Sequence, residues 1–181
     1  FGKDHASRGG SYDTGIAITR DIFGYQAPVP IVYEWISLKG KGDMSSSKGN
    51  VISIADMVEV VPPDVLRYMI FRTQPKKALT FDPGLPMLTL IDELDDPESK
   101  TRDPRAAELS LVSGMGSVGI PFKHLVSIVQ IAGNNDDEAM KIIERGGYPI
   151  RDREALMRRM AYARKWLANY APEELRFSTQ T

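Results

Sequence analysis

With 181 residues, 42% of them hydrophobic and 26% charged, the chain can bury a sizeable core and fits one or two domains of ordinary soluble composition. It has no cysteine, which excludes disulfides and cysteine-ligated zinc. Its apolar runs fall far short of a membrane span and no signal-peptide pattern opens it, so no membrane partner and a cytoplasmic setting are expected. A net charge of −1 means that contact with nucleic acid must come from a local basic patch rather than from the field of the whole molecule.

The chain opens at Phe1 directly in a motif-bearing segment, as expected of a part of a longer protein. From Ser11 to Phe23, Ile16, Thr19, Ile22 and Phe23 share a helical face, with Ser and Asp ahead of them as caps and Gly24 as a stop. Pro30 to Leu38 is rich in β-branched and aromatic residues and ends at glycines, which predicts a strand. Ser53-Ile-Ala-Asp56 carries a helix-start signal, and that helix must end before Pro62-Pro63. Pro63 suits the first turn of a second helix, with Val65, Leu66, Met69 and Ile70 as its apolar stripe and Gln74-Pro75 closing it.

Phe81 to Gly84 reads as a turn and Met87 to Leu94 as another helix; the acidic run Asp92 to Glu98 reads as a solvated end or linker. The proline-punctuated, charged stretch from Asp96 to Pro104 marks the expected domain boundary. Beyond it, helices are expected near 104–112, 121–132, 136–145 and 151–170, the last burying Leu156, Met160, Ala163, Leu167 and Tyr170. Trp35 and Trp166 are read as core or strand-surface residues, and His124 as structural.

Three segments could carry chemistry. In Lys41 to Asn50, glycines permit backbone N–H groups to turn toward an anion, Ser45, Ser46 and Ser47 add hydroxyls, and Lys48 adds a mobile charge. The loop suits a polyphosphate, although the composition also fits a flexible linker. In Gly2-Lys3-Asp4-His5, a glycine admits a planar ligand and a carboxylate can accept from ribose hydroxyls; a plain turn is the alternative. Gly9 to Asp13 precedes a helix, so Ser11 or Asp13 could cap it, or Ser11, Tyr12 and Asp13 could line a pocket. On the final helix Arg151, Arg158 and Lys165 recur every seven residues, either as a solvated face or as a phosphate-contacting one.

Met44-Ser45-Ser46-Ser47-Lys48 resembles the Lys-Met-Ser-Lys-Ser signature of class I aminoacyl-tRNA synthetases. Together with Phe1-Gly-Lys-Asp-His5, Gly9 to Gly15, Tyr33-Glu-Trp35 and Gly49-Asn50, it resembles the class I lysyl-tRNA synthetases, strongly over residues 1 to about 100. The resemblance implies a partial Rossmann-type α/β catalytic domain over 1–100, followed by an all-α domain over 101–181 that contacts tRNA. It implies ATP-dependent activation of lysine and transfer to tRNA(Lys), with ATP and Mg2+. Gly2, Asp4, His5, Met44, Ser45, Ser46, Ser47 and Lys48 would hold ATP or the adenylate, with Lys48 and Ser46 catalytic. Ser11, Tyr12 and Asp13 would form the amino-acid pocket, Arg151, Arg158 and Lys165 would meet tRNA, and no residue is assigned to a metal.

The sequence departs from the family pattern at Asp43 and Ser46, where lysines are usual. The partner signature His-x-Gly-His does not occur: His5 and His124 are the two histidines present. A chain with one half of an ATP site is expected to be inactive alone, because both halves act on one developing charge. A non-catalytic tRNA-binding or interaction module is the competing expectation.

Overall fold

In a computed structural model the described residues are 1–44, 49, 51–114 and 116–177. Their elements are α1 (Ser11–Asp21), β1 (Ile36–Leu38), β2 (Gly42–Asp43), α2 (Ile54–Val60), α3 (Pro63–Phe71), β3 (Leu79–Phe81), α4 (Leu85–Asp95), α5 (Pro104–Ser110), α6 (Phe122–Ala132), α7 (Asp136–Arg145) and α8 (Arg153–Asn169). They form two compact units. One comprises Phe1–Val51 and Thr73–Phe81, the other Ile52–Arg72 and Asp82–Thr181. Helices α2 to α4 therefore belong to the same unit as α5 to α8, whereas the sequence reading drew its boundary near residue 100.

The first unit is a small α/β arrangement. Its sheet has the order β2-β1-β3: β1 runs antiparallel to β2, pairing Ser37 with Asp43, and parallel to β3, pairing Ile36, Ser37 and Leu38 with Leu79, Thr80 and Phe81. Across the parallel pair the hydroxyls of Ser37 and Thr80 are 3.0 Å apart. The strand expected from Pro30 to Leu38 is regular only over its last three residues. Pro28 and Pro30 have no N–H to offer a ladder, and Tyr33 pairs separately with Gly2 in a parallel bridge. Strand β3 went unanticipated, because three residues between turn signals carry no readable alternation.

In the second unit the expected helix signals operate. Ser53 Oγ accepts the Asp56 N–H at 3.0 Å while the Asp56 carboxylate accepts the Ser53 N–H at 3.3 Å, a reciprocal cap on α2. Pro63 opens α3, but the buried stripe is Val65, Leu66 and Tyr68; Ile70 is exposed. The stripe is turned because Tyr68 reaches a buried carboxylate, Glu93 on α4, at 2.6 Å. Helix α8 buries Leu156, Met160, Ala163 and Trp166, with Leu167 and Tyr170 half-buried, and the Trp166 indole donates to the Pro83 carbonyl at 2.7 Å. Trp35, in contrast, is exposed.

The acidic run Asp92 to Glu98 is a solvated end only from Asp96 on; Asp92, Glu93 and Asp95 face into the helical unit. Asp92 accepts the N–H of Phe122 at the start of α6. Glu93 holds Tyr68, the Arg72 guanidinium at 2.6 Å and the Thr101 hydroxyl at 3.0 Å. Asp95 pairs with the buried Arg159 of α8 at 2.7 Å, and Asp96 accepts the Glu98 N–H at 3.0 Å. Burial pushes the Asp92 and Asp95 carboxyls above the ordinary carboxylate range, and for Asp95 the Arg159 charge opposes that rise.

Replacing Arg159 by Met strands the Asp95 charge in a buried site and is expected to cost about 3–5 kcal/mol of stability. Without its cation Asp95 protonates at higher pH, and the neutral acid is the form that burial favours. The native carboxyl, raised above its unfolded value, binds the extra proton, so the loss in R159M shrinks as pH falls. Urea denaturation of both proteins at pH 5 and pH 8 checks magnitude and sign.

Candidate functional site

The first unit brings the segment at Gly2 against the start of α1. Phe1 to Lys3 runs beside Tyr33, with Tyr33 N–H donating to the Phe1 carbonyl at 3.0 Å and Lys3 N–H to the Tyr33 carbonyl at 3.1 Å. The chain then leaves this short parallel pairing in a tight turn: the N–H groups of His5 and Ala6 donate to the Gly2 carbonyl at 3.0 and 3.3 Å. The turn feeds α1, and Tyr12 N–H donates back to the His5 carbonyl at 3.0 Å. An isolated parallel bridge, a turn and a helix N-terminus thus follow one another along the chain.

Two glycines shape it. A Cβ at Gly10 would lie 2.6 Å from the His5 carbonyl oxygen, 2.9 Å from that of Ser7 and 3.0 Å from that of Asp4, all backbone atoms with little room to move. A Cβ at Gly2 would meet only the rings of His5 and Tyr33, each at 3.8 Å. Gly10 is thus a packing requirement, while Gly2 lies at ordinary contact distance from the rings of His5 and Tyr33. Tyr33 was not assigned a site role from the sequence; its signal was the Tyr33-Glu-Trp35 segment.

The other sequence-assigned residues divide by what they already hold. His5 Nδ1 is 3.1 Å from the Ser11 hydroxyl, and the exposed Asp4 carboxylate lies close enough to Lys3 to act on it electrostatically. Tyr12 donates its hydroxyl to the Pro28 carbonyl at 2.7 Å and packs its ring on Phe1, 4.9 Å between centroids. One Asp13 oxygen accepts the Gly9 N–H at 2.9 Å. The N-cap of α1 is Gly10, and no side chain caps that end. Lys3 pairs with Glu34 at 2.8 Å, and this bond, helped by the negative charges of Asp4 and Asp43, holds its ammonium above the ordinary lysine value.

Met44 extends the hairpin, donating its N–H to the Ile36 carbonyl at 3.2 Å. Ser45, Ser46, Ser47 and Lys48 lie outside the described residues. Gly49 has φ +65°, a backbone state suited to glycine.

The basic face of α8 is rearranged relative to expectation. The helix starts at Arg153 with Asp152 as its cap, so Arg151 precedes it and does not share a helical face with Arg158 and Lys165. Arg158 pairs with Glu154 at 2.5 Å and Lys165 with Glu59 at 3.6 Å. Arg153 and Arg164 pair with Asp137 and Asp136, and Arg159 is buried. Arg151 instead lines a cavity of about 680 Å³ with Asp92, Asp95, Asp96 and Asp152. His124 packs on Tyr148, ring centroids 5.4 Å apart. Among the described residues no three His, Asp or Glu side chains converge as a metal site, and no helix is long and apolar enough to cross a membrane.

Comparison with known proteins identifies the family. Residues 1–113 match the family model described as tRNA synthetases class I (K), which places the chain among the class I aminoacyl-tRNA synthetases. It is 50% identical to a lysine–tRNA ligase of Archaeoglobus fulgidus over 179 residues, covering 98% of this chain and 36% of that protein. The lysine–tRNA ligases of Methanosarcina barkeri strain Fusaro and Thermoplasma acidophilum are 48% and 44% identical over 99% and 98% of the chain, which covers 35% and 37% of them. The chain belongs to the class I lysyl-tRNA synthetase family, and it spans about a third of the length of these curated relatives.

Because a Cβ at Gly10 meets three carbonyls, Gly10→Ala is expected to destabilise by about 1–3 kcal/mol. Gly2→Ala, with ordinary contacts only, should leave the denaturation midpoint nearly unchanged. Chemical denaturation of the two variants side by side tests the distinction.

Proposed function

We propose that this chain carries the adenylate-binding turn and the ATP-phosphate loop of a lysine–tRNA ligase. The observation that supports the reading is the turn from Gly2 to His5, which follows an isolated parallel bridge to Tyr33 and is tied to the first turn of α1, in a chain half identical to a named lysine–tRNA ligase. In the reaction a lysine carboxylate oxygen attacks the α-phosphorus of ATP, and pyrophosphate leaves with the electrons of the broken bond. A hydroxyl of the terminal ribose of tRNA(Lys) then attacks the lysyl carbonyl and AMP departs.

Gly2 would admit the planar part of the adenylate between His5 and Tyr33, and Asp4 would accept from ribose hydroxyls. Ser45 to Ser47 would hydrogen-bond the phosphates, with Ser46 and Lys48 acting where charge builds on the α-phosphate and the departing pyrophosphate. Tyr12 and Asp13, which already bind Pro28 and Gly9, would wall the amino-acid side, and the second Asp13 oxygen would be the acceptor for the lysine ammonium. Among the described residues no cluster of His, Asp or Glu converges as a metal site, and the magnesium that ATP chemistry implies would be held largely by the ATP phosphates.

Residues 101–181 are proposed as a helical domain that contacts tRNA. All three cations compete with nearby acids: Arg151 is exposed beside Asp92, Asp95, Asp96 and Asp152, while Arg158 and Lys165 must first leave Glu154 and Glu59. Cytoplasmic residence follows from the same reading.

The 181-residue chain should bind a non-hydrolysable lysyl-adenylate analogue in a calorimetric titration, yet give no robust lysine-dependent ATP–pyrophosphate exchange. Absence of binding would remove the adenylate reading, and strong exchange would remove the claim that the chain needs the partner signature. Exchanging Arg151, Arg158 and Lys165 for Gln should flatten the salt dependence of tRNA binding by about 0.7–0.9 in log–log slope for each phosphate no longer neutralised. An unchanged slope would count against the patch.

A further inference from the structure

What the His5 ring can offer a ligand depends on which nitrogen carries its proton: one nitrogen of a neutral imidazole is a donor and the other an acceptor. Residue 5 is held at two points by the first turn of α1. Its carbonyl accepts the Tyr12 N–H at 3.0 Å, and its Nδ1 lies 3.1 Å from the Ser11 hydroxyl oxygen. Gly10, wedged against the carbonyls of Asp4, His5 and Ser7, keeps the turn from sliding along the helix. Ser11 is the first residue inside α1 rather than its cap, so its hydroxyl is not spent on the helix end. Among the described residues the hydroxyl has His5 as its one hydrogen-bond partner.

We propose that Ser11 is a positioning residue for His5: its hydroxyl donates to Nδ1, the ring proton resides on Nε2, and Nε2 becomes an N–H donor for the bound ligand. The direction follows from the ligand's chemistry, since an acyl-adenylate presents phosphate, carbonyl and purine-nitrogen acceptors, and a donor is the useful form of the ring. This inference rests on the adenylate reading above, both for its ligand and for the direction of the Ser11–His5 hydrogen bond, and the ring state can be measured without the ligand. Ser11 then acts through His5 rather than as a wall of the amino-acid pocket.

The test uses the 15N-labelled 181-residue chain about two pH units above the ordinary histidine pKa of about 6.5, where free imidazole is neutral. His124→Gln identifies the His5 signals by difference, because only two histidines are present. Long-range 1H–15N correlation should find a pyridine-like Nδ1 and a pyrrole-like Nε2 for His5. Ser11→Ala should move His5 toward a mixture of tautomers, and Ser11→Thr, which keeps the hydroxyl, should preserve the wild-type pattern.

Titration with the non-hydrolysable lysyl-adenylate analogue should show about 5–10-fold weaker binding for S11A, as expected for removal of one supporting hydrogen bond, and binding within about twofold of wild type for S11T. A dominant Nδ1–H form in the wild type, an unchanged tautomer ratio in S11A, or a changed ratio without loss of affinity would each overturn the proposal. Failure of the wild type to bind the analogue would strike the adenylate reading instead, and the tautomer comparison would still decide the role of Ser11. Should S11A lose the wild-type circular dichroism, the S11T pattern carries the same decision.

Discussion

Helix α4 distributes three carboxylates to three different neighbours, and the helical unit is organised around them. Asp92 meets the start of α6, Glu93 gathers Tyr68 and Arg72 from α3 with Thr101 ahead of α5, and Asp95 meets Arg159 of α8. A buried carboxylate without partners costs more than an ordinary domain can spare, so each of these groups accepts only an arrangement that supplies its donor. Apolar burial alone would let α4 rotate or slip by a turn at modest cost; three charged anchors on successive faces remove that freedom. The buried Asp64 works in the same way from α3, accepting the N–H groups of Val112 and Ser113 at 3.0 Å each and fixing the segment after α5.

The candidate site depends on a different kind of constraint. Its geometry is set largely by backbone: paired N–H and C=O groups at Gly2 and Tyr33, the carbonyl contact at Gly10, and the tie between His5 and Tyr12. Side chains added to such a frame inherit its placement. Several pocket residues inferred from the sequence also have structural partners: the Tyr12 hydroxyl and one Asp13 oxygen bind the loop itself, while His5 and Asp4 remain toward solvent.

Much of the helical content could be read directly. The Ser53 to Asp56 cap, Pro63 at the head of α3 and the spacing along α8 each act through neighbours a few residues away, and such signals survive into the fold. Readings that failed needed partners distant in sequence. Nothing local to Asp92, Glu93 or Asp95 announces Phe122, Tyr68 or Arg159, and so carboxylates that hold the helices together read as a solvated linker. Regular spacing misled at Arg151 because the Asp152 cap starts the helix after it. The family, by contrast, was legible from short ordered segments, whose residue order a single chain can carry without any distant partner.

The order in which the first unit's sheet is assembled along the chain bears on how it forms. Strand β2 follows β1 through a tight hairpin, but β3 arrives only after α2 and α3, whose residues belong to the other unit; Ser37 and its partner Thr80 are 43 residues apart. The hairpin can close early, while the parallel pairing must wait for a long loop to be organised. During that interval β1 presents one open edge to any strand that passes, and completion of the sheet becomes a late event timed by helices outside it.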